Sequence, residues 1–497
     1  HFPTDSNDWQ VARKRFAFDE MLTLELRALQ AKALFDTAKA LSIPSEPKEV
    51  ASFLKTLPFS LTKGQHKAVA EILDDLVQPR PMNRLLNGDV GSGKTIVAAI
   101  ALRAAAKVGY QAVILAPTEV LARQHWESLS RLFEEESFSL ALLSRSYQFL
   151  NQDTIKKPSL LKAIEAGIPK VIIGTHALLQ DQVRFHNLAL IVIDEQHRFG
   201  VEQRASLQLR AGEISDGLEG DIPHFLTMTA TPIPRTLTLA FFGNLDLSVL
   251  DELPKNRKPV ITKVAENTAD REIIYRFIRE ETKKGRQTFV ILPLVEESEA
   301  MANVKAATME ADRLQREVFP DLRVSLVHGK LKAKEKEAAM EAFRKGESDI
   351  LVATSVIEVG IDIPNASVIL IENAERFGLS QLHQFRGRVG RGGHQSYCFL
   401  FPGEGASSRN ARLDTLEKNT DGFAIAEADL AIRGPGAFFG TRQSGLPDVS
   451  MENLTNLKLV EIARKEAKQI LSEDPDLSEH PLLKKSLEKF EAKIHLE

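Results

Sequence analysis

The sequence predicts an α/β chain of two parallel-sheet domains in tandem, with helical segments at both ends. Three observations carry that reading. At 497 residues the chain exceeds what one hydrophobic core sustains, so two or three domains are expected. Short continuous apolar runs alternate with helical stretches, as in strands buried on both faces and joined by crossover helices. The rhythm stops and restarts around a proline-bracketed segment, Leu253-Pro254-Lys255-Asn256-Arg257-Lys258-Pro259, which reads as a linker.

Residues 1–55 form the first element. Apolar residues recur at three and four from Trp9 to Leu41, predicting one or two amphipathic helices, and Ile43-Pro44-Ser45-Glu46-Pro47 ends them. This is a packing arm or linker. The first domain is placed at 56–255, with strands at Val113-Ile114-Leu115-Ala116, Val171-Ile172-Ile173-Gly174 and Leu190-Ile191-Val192-Ile193. The second is placed at 256–410, with strands at Phe289-Val290-Ile291-Leu292, Ile350-Leu351-Val352-Ala353 and Val368-Ile369-Leu370-Ile371. Residues 411–497 are helical and charged, interrupted by a glycine-rich stretch at 434–445.

Composition sets limits on function. No run approaches the roughly 20 apolar residues that span a bilayer. The single cysteine, Cys398, excludes a disulfide framework and a cysteine-rich zinc site, and its setting in Ser396-Tyr397-Cys398-Phe399-Leu400 reads as a buried strand. A reducing, cytoplasmic compartment is expected. The net charge of −4 excludes a protein that coats nucleic acid indiscriminately, so any such contact belongs to a local groove. The twelve histidines are scattered without metal spacing, and no metal other than Mg²⁺ is indicated. The lysine-rich run from Lys330 to Lys336 reads as a solvated helix face.

The most specific signal is Gly88-Asp89-Val90-Gly91-Ser92-Gly93-Lys94-Thr95, between the apolar Leu85-Leu86 and an alanine-rich helix from Ile96 to Ala106. Gly88, Gly91 and Gly93 let backbone N–H groups close around phosphate oxygens at a helix N-terminus. Lys94 is expected to reach the β- and γ-phosphates of ATP, with the Thr95 hydroxyl on Mg²⁺. Asp194 and Glu195 directly follow a buried-type strand. Asp194 is placed to hold the Mg²⁺ and Glu195 to polarise the attacking water. Downstream, Gln381-Leu382-His383-Gln384-Phe385-Arg386-Gly387-Arg388-Val389-Gly390-Arg391 packs three arginines into a short stretch. Arg388 and Arg391 are the expected arginine fingers, whereas Arg386 fits a surface contact to DNA phosphates.

The order of these motifs resembles that of a superfamily 2 helicase, which implies two tandem RecA-like (P-loop NTPase) domains. Phe59-Ser60-Leu61-Thr62-Lys63-Gly64-Gln65 looks like the glutamine motif, so Gln65 would read the adenine. Ala116-Pro117-Thr118-Glu119 and Gly174-Thr175-His176 look like strand-contact motifs, and Thr229-Ala230-Thr231-Pro232 like the motif coupling ATP to the strand. Val327-His328-Gly329 and the segment from Ala353 and Thr354 to Asp362 complete the set, with Gly360 and Asp362 lining the nucleotide cleft. His197 is read as bridging the ATP and strand sites.

Three stretches are similar to the RecG family of bacterial branched-DNA translocases. They are Asp194-Glu195-Gln196-His197-Arg198-Phe199-Gly200-Val201, Thr231-Pro232-Ile233-Pro234-Arg235-Thr236-Leu237, and Asp429-Leu430-Ala431-Ile432-Arg433-Gly434-Pro435-Gly436. The last continues to Gly440-Thr441-Arg442-Gln443-Ser444-Gly445. By that resemblance the tail is a helical translocation element, in which Arg433, Arg442 and Gln443 couple lobe movement to duplex DNA. Duplex and branched DNA are the implied substrates, the motor a bacterial, cytoplasmic monomer, and single-stranded-DNA-binding protein an implied partner. RecG proteins also carry an N-terminal wedge that splits strands at a fork. Residues 1–55 match the linker after it, so the resemblance is to the motor portion, and fork handling is not expected of residues 1–497 alone.

Rival readings each lack something. An RNA helicase of the superfamily would share the lobes without the tail. The transcription-repair coupling factor shares a related tail, but the Asp194-to-His197 box and the Gln443-Ser444-Gly445 ending favour RecG. A restriction-nuclease motor needs a paired-carboxylate-and-lysine site that the sequence does not offer. A non-hydrolysing scaffold would have lost Lys94, Glu195 or Arg388.

Overall fold

The computed structural model describes residues 6–195, 221–234, 237–238, 243, 245–254, 257–293, 300–354, 363–403, 410–433 and 456–495. The apolar runs are strands of two sheets. The first contains β1 (Asn83–Gly88), β2 (Gln111–Leu115), β3 (Ser139–Leu143), β4 (Gln148–Leu150), β5 (Asp153–Thr154), β6 (Pro169–Gly174), β7 (Leu188–Ile193), β8 (His224–Thr229) and β9 (Asp246–Leu250). Their spatial order is β5-β4-β3-β6-β2-β7-β8-β1-β9. Only the β3-β4-β5 edge is antiparallel. The second sheet contains β10 (Ile261–Val264), β11 (Gln287–Ile291), β12 (Val324–Val327), β13 (Ile350–Ala353), β14 (Ala366–Glu372) and β15 (Tyr397–Phe401), in the order β10-β15-β14-β11-β13-β12 and parallel throughout.

The central strands of both sheets, such as β2, β7, β13 and β14, are covered on both faces, which is why they read as apolar runs. In β2, Ala112 and Ile114 enter one core while Val113 and Leu115 enter the other. In β14, Ile369 and Ile371 point one way, Val368 and Leu370 the other. The two-residue period of an extended chain makes this alternation unavoidable. Cys398 is fully buried in β15, as expected, and burial pushes its thiol up to about 12.

Register then fixes what stands beside what. Asn87 pairs with Thr229, Ile193 with Thr227, and Leu115 with both Ile193 and Gly174. The carboxyl ends of β6, β2, β7, β8 and β1 therefore lie in one row, where ligands bind in open α/β sheets.

The N-terminal arm is a single helix, Ser6–Asp36. Met21 and Leu24 pack with Leu430, Val460 and Ala463, while Leu22, Leu26 and Leu29 pack with Ala467, Leu477 and Leu487. The two ends of the described chain thus clasp each other through the helices Gly422–Arg433, Leu457–Glu473 and Pro481–His495. Lys32 joins the arm to β9 through Asp246 at 2.5 Å. After the arm, His224 pins the chain to the first sheet: Met82 N donates to its Nδ1 at 3.0 Å, so Nε2 carries the proton donated to the Leu41 carbonyl at 2.8 Å.

At the centre of the clasp the Glu25 carboxylate, with no exposed surface, accepts from Arg464 at 3.0 Å. Its other oxygen has no partner among the described residues. Burial outweighs the guanidinium and raises the Glu25 carboxyl to about 7. The unfolded chain therefore ionises Glu25 near pH 4.5 while the fold retains the proton to about 7, so stability falls as pH rises through that window. Glu25→Gln is expected to unfold like wild type at pH 5 and to gain up to about 3 kcal/mol over it at pH 8, read from urea midpoints.

Candidate active site

The P-loop leaves β1 at Gly88 and enters the helix Lys94–Lys107. Gly91 (φ +76°) and Gly93 (φ +84°) take left-handed conformations that a side chain would strain. The Lys94 ammonium folds onto the loop's own carbonyls, donating to Gly88 at 2.7 Å and Asp89 at 2.8 Å. Burial pushes its pKa down, against the opposing charges of Glu195, Asp89 and Asp194. The Ser92 hydroxyl is buried, with no partner among the described residues. Gln65 closes a capping box with Thr62 and donates to the Ser92 carbonyl at 2.7 Å, tying the glutamine motif to the P-loop. A glycine-rich turn at a helix N-terminus and a buried lysine fit a nucleoside triphosphate.

Across the sheet, β7 delivers Asp194 and Glu195. Asp194 N donates to the Leu115 carbonyl at 2.9 Å, and the side chain meets His125 Nε2 at 2.8 Å. Burial by itself would raise the Asp194 carboxyl, but the His125 hydrogen bond, with the charges of His125 and Lys94, holds it below its usual range. Glu195 behaves oppositely: burial and the adjacent Asp194 raise it, against Lys94 and Arg388. Its φ of +55° is strained for a non-glycine residue. Among the described residues no three His, Cys, Asp or Glu side chains gather as a metal cage. Asp194 and Thr95, beside a triphosphate, could hold a divalent cation.

The second lobe closes on this centre. Arg388 is buried and its charge acts on Glu195, while that of Arg391 acts on Lys94. Both expected arginines thus lie near enough for their charge to be felt there. Arg386 does not fit the expectation of a DNA-facing surface residue. It is 4% exposed and donates to the carbonyls of Leu416, Asn419 and Thr420 at 2.9, 2.6 and 3.1 Å. Arg386 Nη2 also lies 2.9 Å from His383 Nδ1, and His383 Nε2 lies 2.5 Å from Asp89 in the P-loop. Gly387 and Gly422 make this seam possible, since a Cβ would come within 2.7 Å of Val90 and 2.6 Å of Asp89 respectively. Arg257, in the linker, donates to the Val90 carbonyl and occupies the face of Gly91. Farther out, Arg123 and Glu127 of the helix Glu119–Leu132 pair with Glu337 and Arg344 of the helix Ala333–Arg344.

The first-lobe residues expected to contact the strand follow the strand ends of that row. Thr118 caps the helix Glu119–Leu132, accepting from Leu121 N at 3.3 Å. Thr175 caps the turn His176–Leu179. Thr229 bonds Thr231 Oγ1 at 2.9 Å, next to the paired Asn87–Ile233 contacts at 3.0 and 3.2 Å. Thr354 is buried at the end of β13. His197, Gly360, Asp362, Arg442 and Gln443 lie outside the described residues, and Arg433 ends the helix Gly422–Arg433. The sequence reading missed Asn87, Asp89, His125, Arg257 and His383 as site residues. Asp89 and His383 lie inside motifs, but nothing local marked them.

Arg386→Ala should strand three buried carbonyls and lower stability by about 3 kcal/mol or more. The half-buried Arg391→Ala should cost under about 1 kcal/mol. Urea melts of the two variants make the comparison.

Three family models match the chain: DEAD/DEAH box helicase over residues 62–240, helicase conserved C-terminal domain over 269–393, and ATP-dependent DNA helicase RecG, domain 3, C-terminal, over 419–494. The ATP-dependent DNA helicase RecG of Synechocystis sp. is 46% identical over 99% of this chain and 58% of that protein. RecG of Aquifex aeolicus is 46% identical over 97% of this chain and 60% of that protein, and RecG of Thermotoga maritima 44% over 96% and 60%. The chain therefore spans about three fifths of the length of these curated relatives. Among solved structures, RecG bound to a three-way DNA junction superposes with TM-score 0.74 and 40% identity, covering 93% of this chain and 58% of that one. The DEAD-box helicase Mss116 bound to ssRNA and UDP-BeF, 18% identical with TM-score 0.54, covers 90% of this chain and 99% of that one and shares the two-lobed fold. With the P-loop motif in one lobe, the matching RecG C-terminal domain and 44–46% identity to these relatives along nearly the whole chain, the chain belongs to the RecG helicase family.

Proposed function

We propose that this chain is the ATP-hydrolysing motor of a RecG-type enzyme, which moves on duplex DNA and remodels branched DNA such as stalled forks and Holliday junctions. One observation carries the reading: the second lobe meets the P-loop through His383 and Asp89 at 2.5 Å, and just after His383 the buried Arg388 and the half-buried Arg391 bring positive charge to Glu195 and Lys94. Hydrolysis then depends on lobe closure, as a translocase requires.

In this reading Lys94 leaves the Gly88 and Asp89 carbonyls for the β- and γ-phosphates, and Gln65 reads the adenine. Thr95 and Asp194 hold Mg²⁺, which neutralises charge on the phosphate oxygens when bound. Glu195 accepts the proton of the attacking water, and its raised pKa suits a base. Arg388 and Arg391 stabilise the transferring phosphoryl group, with Gly360 and Asp362 lining the same cleft. Thr118, Thr175 and Thr354 contact DNA phosphates, which position the motor without reading sequence. Thr229, Thr231 and His197 couple the two sites. Arg386 supports coupling to the tail, because the carbonyls it holds precede the helix Gly422–Arg433. Arg433, Arg442 and Gln443 would then transmit movement to the duplex. The motor works as a cytoplasmic monomer on duplex and branched DNA, with single-stranded-DNA-binding protein as a partner. No described helix is long and apolar enough to cross a membrane.

Glu195→Gln is expected to bind ATP normally and lose turnover, since the amide cannot take the proton. Arg388→Ala should keep ATP affinity and cut kcat by about 10³-fold or more, most visibly with DNA present. Steady-state ATPase and nucleotide titrations test both, and DNA-stimulated turnover near wild type in either would remove that residue from the mechanism. Arg442→Ala should abolish triplex displacement on duplex DNA while most ATPase survives. A parallel fall in melting temperature, turnover and displacement would instead mark Arg442 as structural.

A further inference from the structure

The helix Glu119–Leu132 starts at a strand-contact residue and ends deep in the first lobe. Thr118 caps it, and Leu121, Ala122, His125 and Leu129 form its buried stripe. Leu121, Ala122 and Leu129 belong to the first-lobe core, so the helix moves as a rigid rod rather than bending. His125 stands seven residues after Thr118, two turns and about 10 Å along the same face. On either side of it, Arg123 and Glu127 reach the second lobe through Glu337 and Arg344. His125 itself is 6% exposed and points inward, with Nε2 2.8 Å from Asp194 Oδ2. An ionised Asp194 can only accept, so Nε2 carries the proton and donates it.

We propose that His125 is a positioning residue for the Mg²⁺-nucleotide site: it holds the Asp194 carboxylate and ties it to the helix bearing the strand-contact residue Thr118 and the inter-lobe pairs of Arg123 and Glu127. A metal-binding carboxylate performs as well as its orientation, and that orientation is set by the donors around it. Here the donor rides on the helix that meets the second lobe and begins at Thr118, read above as a DNA-phosphate contact. A shift of that helix repositions Asp194 and so tunes the grip on the metal. His125 acts only through Asp194. The inference rests on the reading of the P-loop as an ATPase site.

The test is a titration of the full chain with a fluorescent non-hydrolysable ATP analogue, once in excess Mg²⁺ and once in EDTA. In His125→Ala the affinity with Mg²⁺ is expected to fall about tenfold or more, while affinity in EDTA stays within about twofold. His125→Leu, which fills the volume without a donor, should behave like Ala. His125→Gln, whose amide nitrogen reaches about the same point, should recover most of the Mg²⁺ effect. DNA stimulation of turnover should fall with the first two variants and return with the third. Equal losses in Mg²⁺ and EDTA, or a Gln variant no better than Leu, would show that His125 merely fills the core. If Ala is too unstable to titrate, the Leu–Gln pair decides. A wild-type chain that binds the analogue identically with and without Mg²⁺ would overturn the ATPase reading itself, a different failure from variants that leave a normal Mg²⁺ effect intact.

Discussion

The bond between His383 and Asp89 is the contact on which the rest of this structure depends. The proposed nucleotide site, split between two lobes, needs a link that joins the second lobe to the P-loop itself, and this 2.5 Å contact supplies one. Burial disfavours the Asp89 carboxylate, yet the His383 bond and charge, with the Val90 N–H, hold it below its usual range. Inside the loop the Asp89 carbonyl also accepts from Lys94. One residue thus feels the lysine that phosphate would attract and the lobe that must close. From His383 the chain of contacts continues to Arg386 and then to three carbonyls at the entrance of the C-terminal helices. Buried polar chains of this kind act as a unit, because losing any member leaves the others unsatisfied in a low-dielectric interior.

The site holds several unfavourable features together. Two adjacent carboxylates, a buried ammonium and a left-handed Glu195 each cost free energy that the local chain does not return. The continuous aliphatic strands offset these terms by burying both faces of β7 and its neighbours. They also explain where the chemistry sits. A strand buried on both sides leaves little room for charged groups at its centre, so the carboxylates of this site stand where β7 ends. Parallel register then places the strand ends in one row.

The C-terminal helices are anchored twice. Arg386 holds their entrance to the second lobe, and the arm holds the helix Leu457–Glu473 through Glu25, Arg464 and an apolar seam. The arm in turn grips the first lobe at Asp246 and, beyond its end, at His224. An element fixed to both lobes registers their relative movement, the geometric requirement for turning closure into motion of a tail.

The sequence by itself determined the two α/β domains, the P-loop, the Asp194–Glu195 pair and the second-lobe arginines. Each of these is a local statement: a period of two, a run of glycines, or an acidic pair after four aliphatics. Such patterns survive in one dimension because the physics behind them acts within a few residues. Tertiary structure alone decided the partners. His125 finds Asp194 across 69 positions, Arg257 finds Val90 across 167, and His383 finds Asp89 across 294. Arg386 shows the limit most clearly. Three arginines in eleven residues look alike on paper, and charge alone sent this one to the DNA surface. The fold buries it because three carbonyls 30 to 34 residues away needed a donor with several N–H groups in a fixed fork, and no spacing in the sequence records that need.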